Sequence, residues 1–421
     1  MILLALQSLF GLAVFVALAW ALSENRRLFA SKMVAAGLAA QIIIAIAFLQ
    51  VPFMRSAMLA LNGVVDALMQ ATRAGTSFVF GYLGGGPTPF QTTNPAAGFS
   101  LAFQSLPIVL VISALAALLW HWRVLPLLVG ALSAALKRTL NIGGALGLAS
   151  GANVFMGMVE APILIRPYLA RLTRSELFAL MSVGLATVAG TVLVLYASLI
   201  GGQIDGALGH IITASIISLP AALIIARIMV PETQSSTAVS DDVPALEYRS
   251  SVDALVQGTA NGLQLLLSIV AMLIVAVALV ALVDILLGAV PDVAGTPLTL
   301  QRVFGWLFAP IVWCMGVPWS EAGTAGTLMG TKTVLNEFLA YLALAGLEPG
   351  TLSERSTLIM VYALCGFANP GSVGIMIGGL TALVPERRDE IISLAGKALV
   401  AGTLATCMTG AVVGIVGQNV G

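Results

Sequence analysis

The side chains able to do chemistry are few, and they stand out against an apolar background. The stretch Gly330 to Tyr341, GTKTVLNEFLAY, places Lys332, Asn336 and Glu337 in a region almost free of other charge. Charge inside a membrane is costly and marks a solute or ion pathway in which each charge needs a partner. A second acid, Glu160, lies in GMVEAP, Gly157 to Pro162, within another interrupted apolar run. A carboxylate in dry surroundings accepts strong hydrogen bonds from hydroxyl groups, so the chemistry these residues suggest is recognition of a polar solute. Paired carboxylates could also serve acid–base catalysis, which leaves an intramembrane enzyme as a distant reading. The sequence holds no Ser-His-Asp set, HExxH motif or P-loop, and so gives no support to covalent hydrolysis, zinc hydrolysis or ATP-driven transport.

Composition says what must position these residues. Of 421 residues, 59% are hydrophobic and only 9% charged, against about a quarter charged in soluble domains. The chain reads as an all-α polytopic membrane protein. A net charge of zero argues against a nucleic-acid partner. Cys314, Cys365 and Cys407 are scattered without CxxC spacing and read as packing residues. Apolar runs near 2–22, 33–54, 102–120, 176–200, 208–230, 262–290, 355–384 and 389–417 give eight candidate transmembrane helices. The first lacks a basic leader and reads as a retained span. Between the second and third, 55–100 holds a helical stretch of interfacial character that ends in GYLGGGPTPF. The polar linker Pro231 to Ser250 separates two halves.

Lys and Arg orient the spans. With both termini outside, only Arg55, Arg73, Arg302, Lys332 and Arg355 of the 19 basic residues fall on the outer side, as the positive-inside rule requires. That count holds only if 143–170 and 308–345 enter and leave on one face as two re-entrant hairpins. The halves echo each other. Met156-Gly157 leads to Glu160 and then to a helix interrupted at GLATVAG, Gly184 to Gly190; Met329-Gly330 leads to Glu337 and then to a helix interrupted at GFANPGSVG, Gly366 to Gly374. Each unit reads hairpin, broken helix, helix, and each starts on the opposite face, so the two are inverted repeats. The implied units are N-terminal scaffold spans at 1–140, a first repeat at 141–230, a linker and scaffold span at 231–305 and a second repeat at 306–421. Inverted repeats with broken helices place solute and ion where the interrupted elements meet.

The order Gly330, Lys332, Asn336-Glu337-Phe338, Ala340, Tyr341 resembles the signature of the concentrative nucleoside transporter family, with Leu339 where Val is usual. The later Cys365-Gly366-Phe367-Ala368-Asn369 matches its second motif. The resemblance implies that Glu337, Asn369 and Ser372 hold ribose hydroxyls and that Phe367 packs on the ligand. It also implies that Asn153 and Thr187, with the carbonyls of Met156 and Val188, bind sodium; proton coupling through Glu160 or Glu337 is the alternative. The first hairpin departs from the family's Gly-Gln-Thr/Ser-Glu-Ala/Ser-Pro. Here Met158 and Val159 replace two hydrogen-bonding side chains, and only Glu160 of the base-contacting group remains.

These expectations make the chain a cation-coupled symporter of nucleosides, working by alternating access as a homotrimer in the bacterial inner membrane, with lipid and a nucleoside-like solute as its partners and no cofactor besides the coupling ion. The same fold carrying a less polar ribosyl-like solute is the first rival. A channel or receptor is the second.

Overall fold

The computed structural model describes residues 2–91, 98–235, 237, 248–293 and 295–417. Lipid offers the backbone no hydrogen-bond partners, so a spanning chain of this composition has to be helical. Among the described residues the regular structure is helical apart from one isolated bridge, Val293 with Thr296. Most of the linker expected at Pro231 to Ser250 lies outside the described residues, as do 92–97 of the segment before the third span.

The N-terminal elements are α1 (Ile2–Ala21), α2 (Ser31–Gln50), α3 (Pro52–Phe80), α4 (Ile108–His121) and α5 (Val124–Leu140). The first hairpin is α6 (Gly144–Met156), α7 (Glu160–Ile163) and α8 (Arg166–Leu169). The first broken helix is α9 (Arg174–Ala186) with α10 (Gly190–Ile200), and α11 (Ala207–Met229) closes the unit. After α12 (Ser251–Leu287) and α13 (Leu300–Cys314), the pattern returns. The second hairpin is α14 (Trp319–Val334) and α15 (Glu337–Ala345), the second broken helix is α16 (Glu354–Leu364) with α17 (Pro370–Leu383), and α18 (Arg388–Val416) closes the chain.

Among the described residues, seven segments are long and apolar enough to cross a membrane: α1, α2, residues 101–121, the α9–α10 pair, α11, α12 and residues 385–416. The eighth expected span, near 355–384, is α16 plus α17, helices of 11 and 14 residues separated by the non-helical Cys365 to Asn369. The second hairpin begins later than 308. The chain turns by 114° between α13 and α14, at Met315 to Pro318, so α13 is a separate helix laid across the hairpin. Gly316, with φ +105°, and Pro318 make that corner; in the sequence they cannot be told from the Gly and Pro that interrupt the hairpins themselves. In the same way α5 precedes α6, so each hairpin has a helix packed on its outer arm.

Helices α9, α11 and α18 pack on one another and form the core, and α11 is buried along nearly its whole length. By contrast α12 buries only Ala254, Gly258, Gly262 and Ala276. The first three of these, spaced by four, form a small-residue stripe against α4. A Cβ on Gly258 would lie 2.7 Å from the Ser113 carbonyl oxygen, and one on Gly262 2.9 Å from the Leu110 Cα.

A second close approach fastens α1 to α13. Gln7 Nε2 donates to the Val317 carbonyl at 3.0 Å and Ser8 Oγ to that of Met315 at 3.0 Å, which satisfies carbonyls released at the α13 terminus. One turn on, a Cβ at Gly11 would overlap the Cys314 carbonyl oxygen. Gly→Ala inside a helix normally stabilises by about 1 kcal/mol. Gly11→Ala is expected to do the reverse and lower the melting temperature of the purified protein by several degrees; an unchanged or raised value would show that α1 and α13 do not meet in this way.

Basic residues gather at one end of the bundle. Glu24, in the loop after α1, accepts from Arg174 Nη2 at 2.9 Å and Lys397 Nζ at 2.7 Å. The Arg174 hydrogen bond, with help from Lys397, holds its carboxyl down to about 2. Arg387 donates to the carbonyls of Leu169 and Leu172 at the same end, an arrangement consistent with that end facing the cytoplasm.

Candidate functional site

Each hairpin tip is a helix stop followed by a helix start. At the first tip α6 ends on Gly157, whose φ of +95° and tight packing exclude a side chain: a Cβ there would lie 2.8 Å from Ala189 Cβ and 3.0 Å from Glu160 Oε2. Met158 and Val159 cover the tip, and Glu160 opens α7. At the second tip Asn336 caps α15, its Oδ1 accepting the Leu339 amide at 2.8 Å. Glu337 therefore sits in the first turn of α15, where the helix dipole favours a carboxylate.

The second broken helix supplies a partner. Asn369 caps α17, its Oδ1 accepting from the Ser372 amide at 2.9 Å, and its Nδ2 donates to Glu337 Oε2 at 3.0 Å. One amide thus restarts a helix and fixes the acid. The other oxygen, Oε1, accepts from the Tyr196 hydroxyl of α10 at 2.7 Å. Tyr196 is itself held by stacking on Tyr341, with ring centroids 5.1 Å apart, and the Tyr341 hydroxyl donates to the Val361 carbonyl at 2.7 Å. Lys332 is not the partner of Glu337: its Nζ donates to the Ala363 carbonyl at 3.1 Å and to Thr406 Oγ1 at 2.5 Å.

A cavity of about 190 Å³ lies between the tips. Met158, Val159, Glu160, Glu337, Phe367, Asn369 and Ser372 all line it, so the two acids face one chamber. Its remaining walls come from α10, including Thr191 and Tyr196, and from α12, including Leu265, Ser268 and Met272. A larger cavity of about 610 Å³ is separate, lined by Arg55, His210 and Glu354 among others, and neither tip reaches it.

Beside the chamber, the first break gathers oxygen. Asn153 Nδ2 donates to the Val183 carbonyl at 3.3 Å and lies against Thr187 Oγ1, which itself donates to the same carbonyl at 3.0 Å. Both side chains are buried. Rotating the Asn153 amide about its last bond brings Oδ1 beside Thr187 Oγ1, two hard oxygens together. Met156 is the last residue of α6 and Val188 lies between α9 and α10, so both carbonyls belong to helix-terminal backbone. The two breaks also touch each other. The Phe367 amide donates to the Thr187 carbonyl at 3.3 Å, and a Cβ on Gly366 would lie 2.9 Å from the Ala186 carbonyl oxygen.

Sequence reasoning passed over Tyr196 and the α12 wall. Tyr196 could have been found as the one phenol in the apolar GTVLVLYASLI that follows the first break. Nothing marks Ser268 or Met272 in the long apolar run of α12. His210 is buried, with Nδ1 3.0 Å from the Tyr362 hydroxyl.

Two hairpins that dip without crossing, two helices interrupted at the same depth, and a chamber with two acids define the class as a membrane carrier with its solute site at a repeat interface. Family models agree in detail. "Na+ dependent nucleoside transporter N-terminus" matches residues 10–83, "Nucleoside recognition" matches 102–203 and "Na+ dependent nucleoside transporter C-terminus" matches 210–414. The chain belongs to the Na+ dependent nucleoside transporter family. It is 35% identical to the nucleoside permease NupC of Helicobacter pylori, over 100% of both chains. It is also 31% identical to the rat sodium/nucleoside cotransporter 1, over 97% of this chain and 63% of that one. A solved structure of CNTnw in an inward-facing substrate-bound state superposes with a TM-score of 0.91 at 35% identity, covering 99% of each chain. The family is one of transporters, and its bacterial members together with the apolar helices make this a multi-pass inner-membrane protein. These relatives favour a nucleoside over a less polar ribosyl-like solute.

Proposed function

We propose that the protein carries a nucleoside across the inner membrane together with sodium, by alternating exposure of the chamber between the hairpin tips. The observation that carries this reading is the placement of Glu160 and Glu337 on one cavity, with the buried Asn153–Thr187 pair next to it. In this reading Glu337, Asn369 and Ser372 receive the ribose hydroxyls, and Phe367 forms the apolar floor. Glu160 is the one polar contact for the base on the first hairpin, flanked by Met158 and Val159. Sodium binds to Asn153 and Thr187 with the carbonyls of Met156 and Val188, since hard oxygens and freed carbonyls suit a small cation. The scaffold is chiefly α1, α2, α4 and α12, the hairpins and broken helices move against it, and three copies assemble, as the resemblance implies.

Uptake into proteoliposomes under an inward sodium gradient at clamped pH tests the coupling. Sodium-driven accumulation with counterflow of labelled nucleoside is expected. Uptake indifferent to sodium that collapses with the pH gradient would replace sodium by a proton. The apolar first tip gives a further prediction. A polar base edge left facing Met158 and Val159 loses about 1–3 kcal/mol per missing bond. The wild type is therefore expected to discriminate weakly among bases, and Met158→Gln with Val159→Thr to improve kcat/KM for uridine about tenfold. A wild type that prefers uridine strongly over adenosine and hydrophobic nucleosides would refute this account of the pocket.

A further inference from the structure

Lys332 is fully buried, and the recognition chemistry above gives it no part. Its Nζ is bonded by the Ala363 carbonyl and Thr406 Oγ1 and, among the described residues, by no carboxylate; Glu337 feels it only through space. An ammonium out of water among neutral oxygens needs compensation. The fold provides it. Lys332 lies in the last turn of α14, and Ala363 is the penultimate residue of α16, so the negative ends of two helices converge on the ammonium. Because α16 stops at Leu364, the Ala363 carbonyl has lost its helical amide partner.

The first repeat is built the same way. Asn153 lies in the last turn of α6, and its amide reaches the Val183 carbonyl in the last turn of α9, with the Thr187 hydroxyl alongside. In both repeats a side chain from the end of the hairpin's first arm meets a carbonyl freed at the helix break, beside a threonine hydroxyl. The second repeat differs in two ways: its threonine comes from α18 and not from the break, and a tethered cation stands where the first has a neutral amide. Thr406, in α18, packs at the break itself, since a Cβ on Gly366 would lie 2.7 Å from Thr406 Cγ2.

From this correspondence we infer that the Lys332 ammonium permanently fills the second repeat's counterpart of the sodium site, so that the protein moves one sodium per nucleoside. The inference rests on the first-repeat sodium site proposed above. The ammonium holds the second break closed in every state, and only the first break waits for an ion from solution.

Wild-type protein in proteoliposomes gives the first test, by reversal potential. One sodium per nucleoside is expected. Sodium-dependent uptake with two would overturn this inference and leave the first-repeat site standing, whereas uptake indifferent to sodium would overturn both. Lys332→Asn gives the second repeat the residue of the first. Its nucleoside-induced thermal shift is expected to depend on sodium with a Hill coefficient of two in place of one. Lys332→Met provides no ligand, and should bind nucleoside about tenfold more weakly with no rescue by sodium. A Met variant that binds nucleoside and sodium like the wild type would overturn the assignment. Should the Asn variant not fold, the wild-type stoichiometry and the Met variant still decide it.

Discussion

Glu337→Gln is expected to reduce nucleoside transport roughly a hundredfold, a loss of about 3 kcal/mol. The reason lies in the two donors that already hold this acid. Tyr196 Oη donates to one oxygen and Asn369 Nδ2 to the other. A glutamine offers one acceptor and one donor, so its amide hydrogens must face one of these donors. A buried donor without an acceptor costs about 1–3 kcal/mol, and losing the charge weakens every hydroxyl contact that remains. Tyr196→Phe removes one donor and leaves the acceptor intact, so about a tenfold loss is expected. Uptake kinetics and nucleoside-induced thermal shifts would measure both. Activity of Glu337→Gln within threefold of the wild type would mean that the solute is held elsewhere.

The second large effect falls on the ion. Thr187→Val replaces a hydroxyl by a methyl of nearly equal volume inside a buried site. The sodium concentration for half-maximal uptake is expected to rise at least tenfold, about 1.4 kcal/mol, while nucleoside binding at saturating sodium changes little. Asn153→Ala should do the same, and because the two side chains touch, the double variant should lose less than the sum. A pair of single variants with unaltered sodium dependence would move the ion away from the first break.

How much of this was legible in the sequence depended on contrast. Glu160, Glu337 and Asn369 stood out because charge and turn-forming residues are rare in apolar runs, and the same interruptions located both hairpins and both breaks. Tyr196 and Met272 escaped because each is an ordinary member of an apolar helix, and only tertiary packing turns its face to the chamber. The start of the second hairpin escaped for the opposite reason. Gly316 and Pro318 do mark the 114° corner, but Gly and Pro interrupt the hairpins too, so nothing in the sequence separates this corner from an interruption within one hairpin. Lys332 was visible as a charge, but its partners were not. Which carbonyls it reaches depends on where α16 ends and where α18 passes, and spacing within one hairpin carries neither fact.

The amide of Phe367, on the oxygen of Thr187, joins the two helix breaks directly. In the proposed site, one residue would serve the ion with its hydroxyl and steady the aromatic floor beneath the sugar with its carbonyl. Any factor by which sodium tightens the grip on nucleoside must be returned, as a matter of linkage, by nucleoside on sodium. Slippage, in which either passenger crosses alone, would then be resisted at this backbone contact between the breaks.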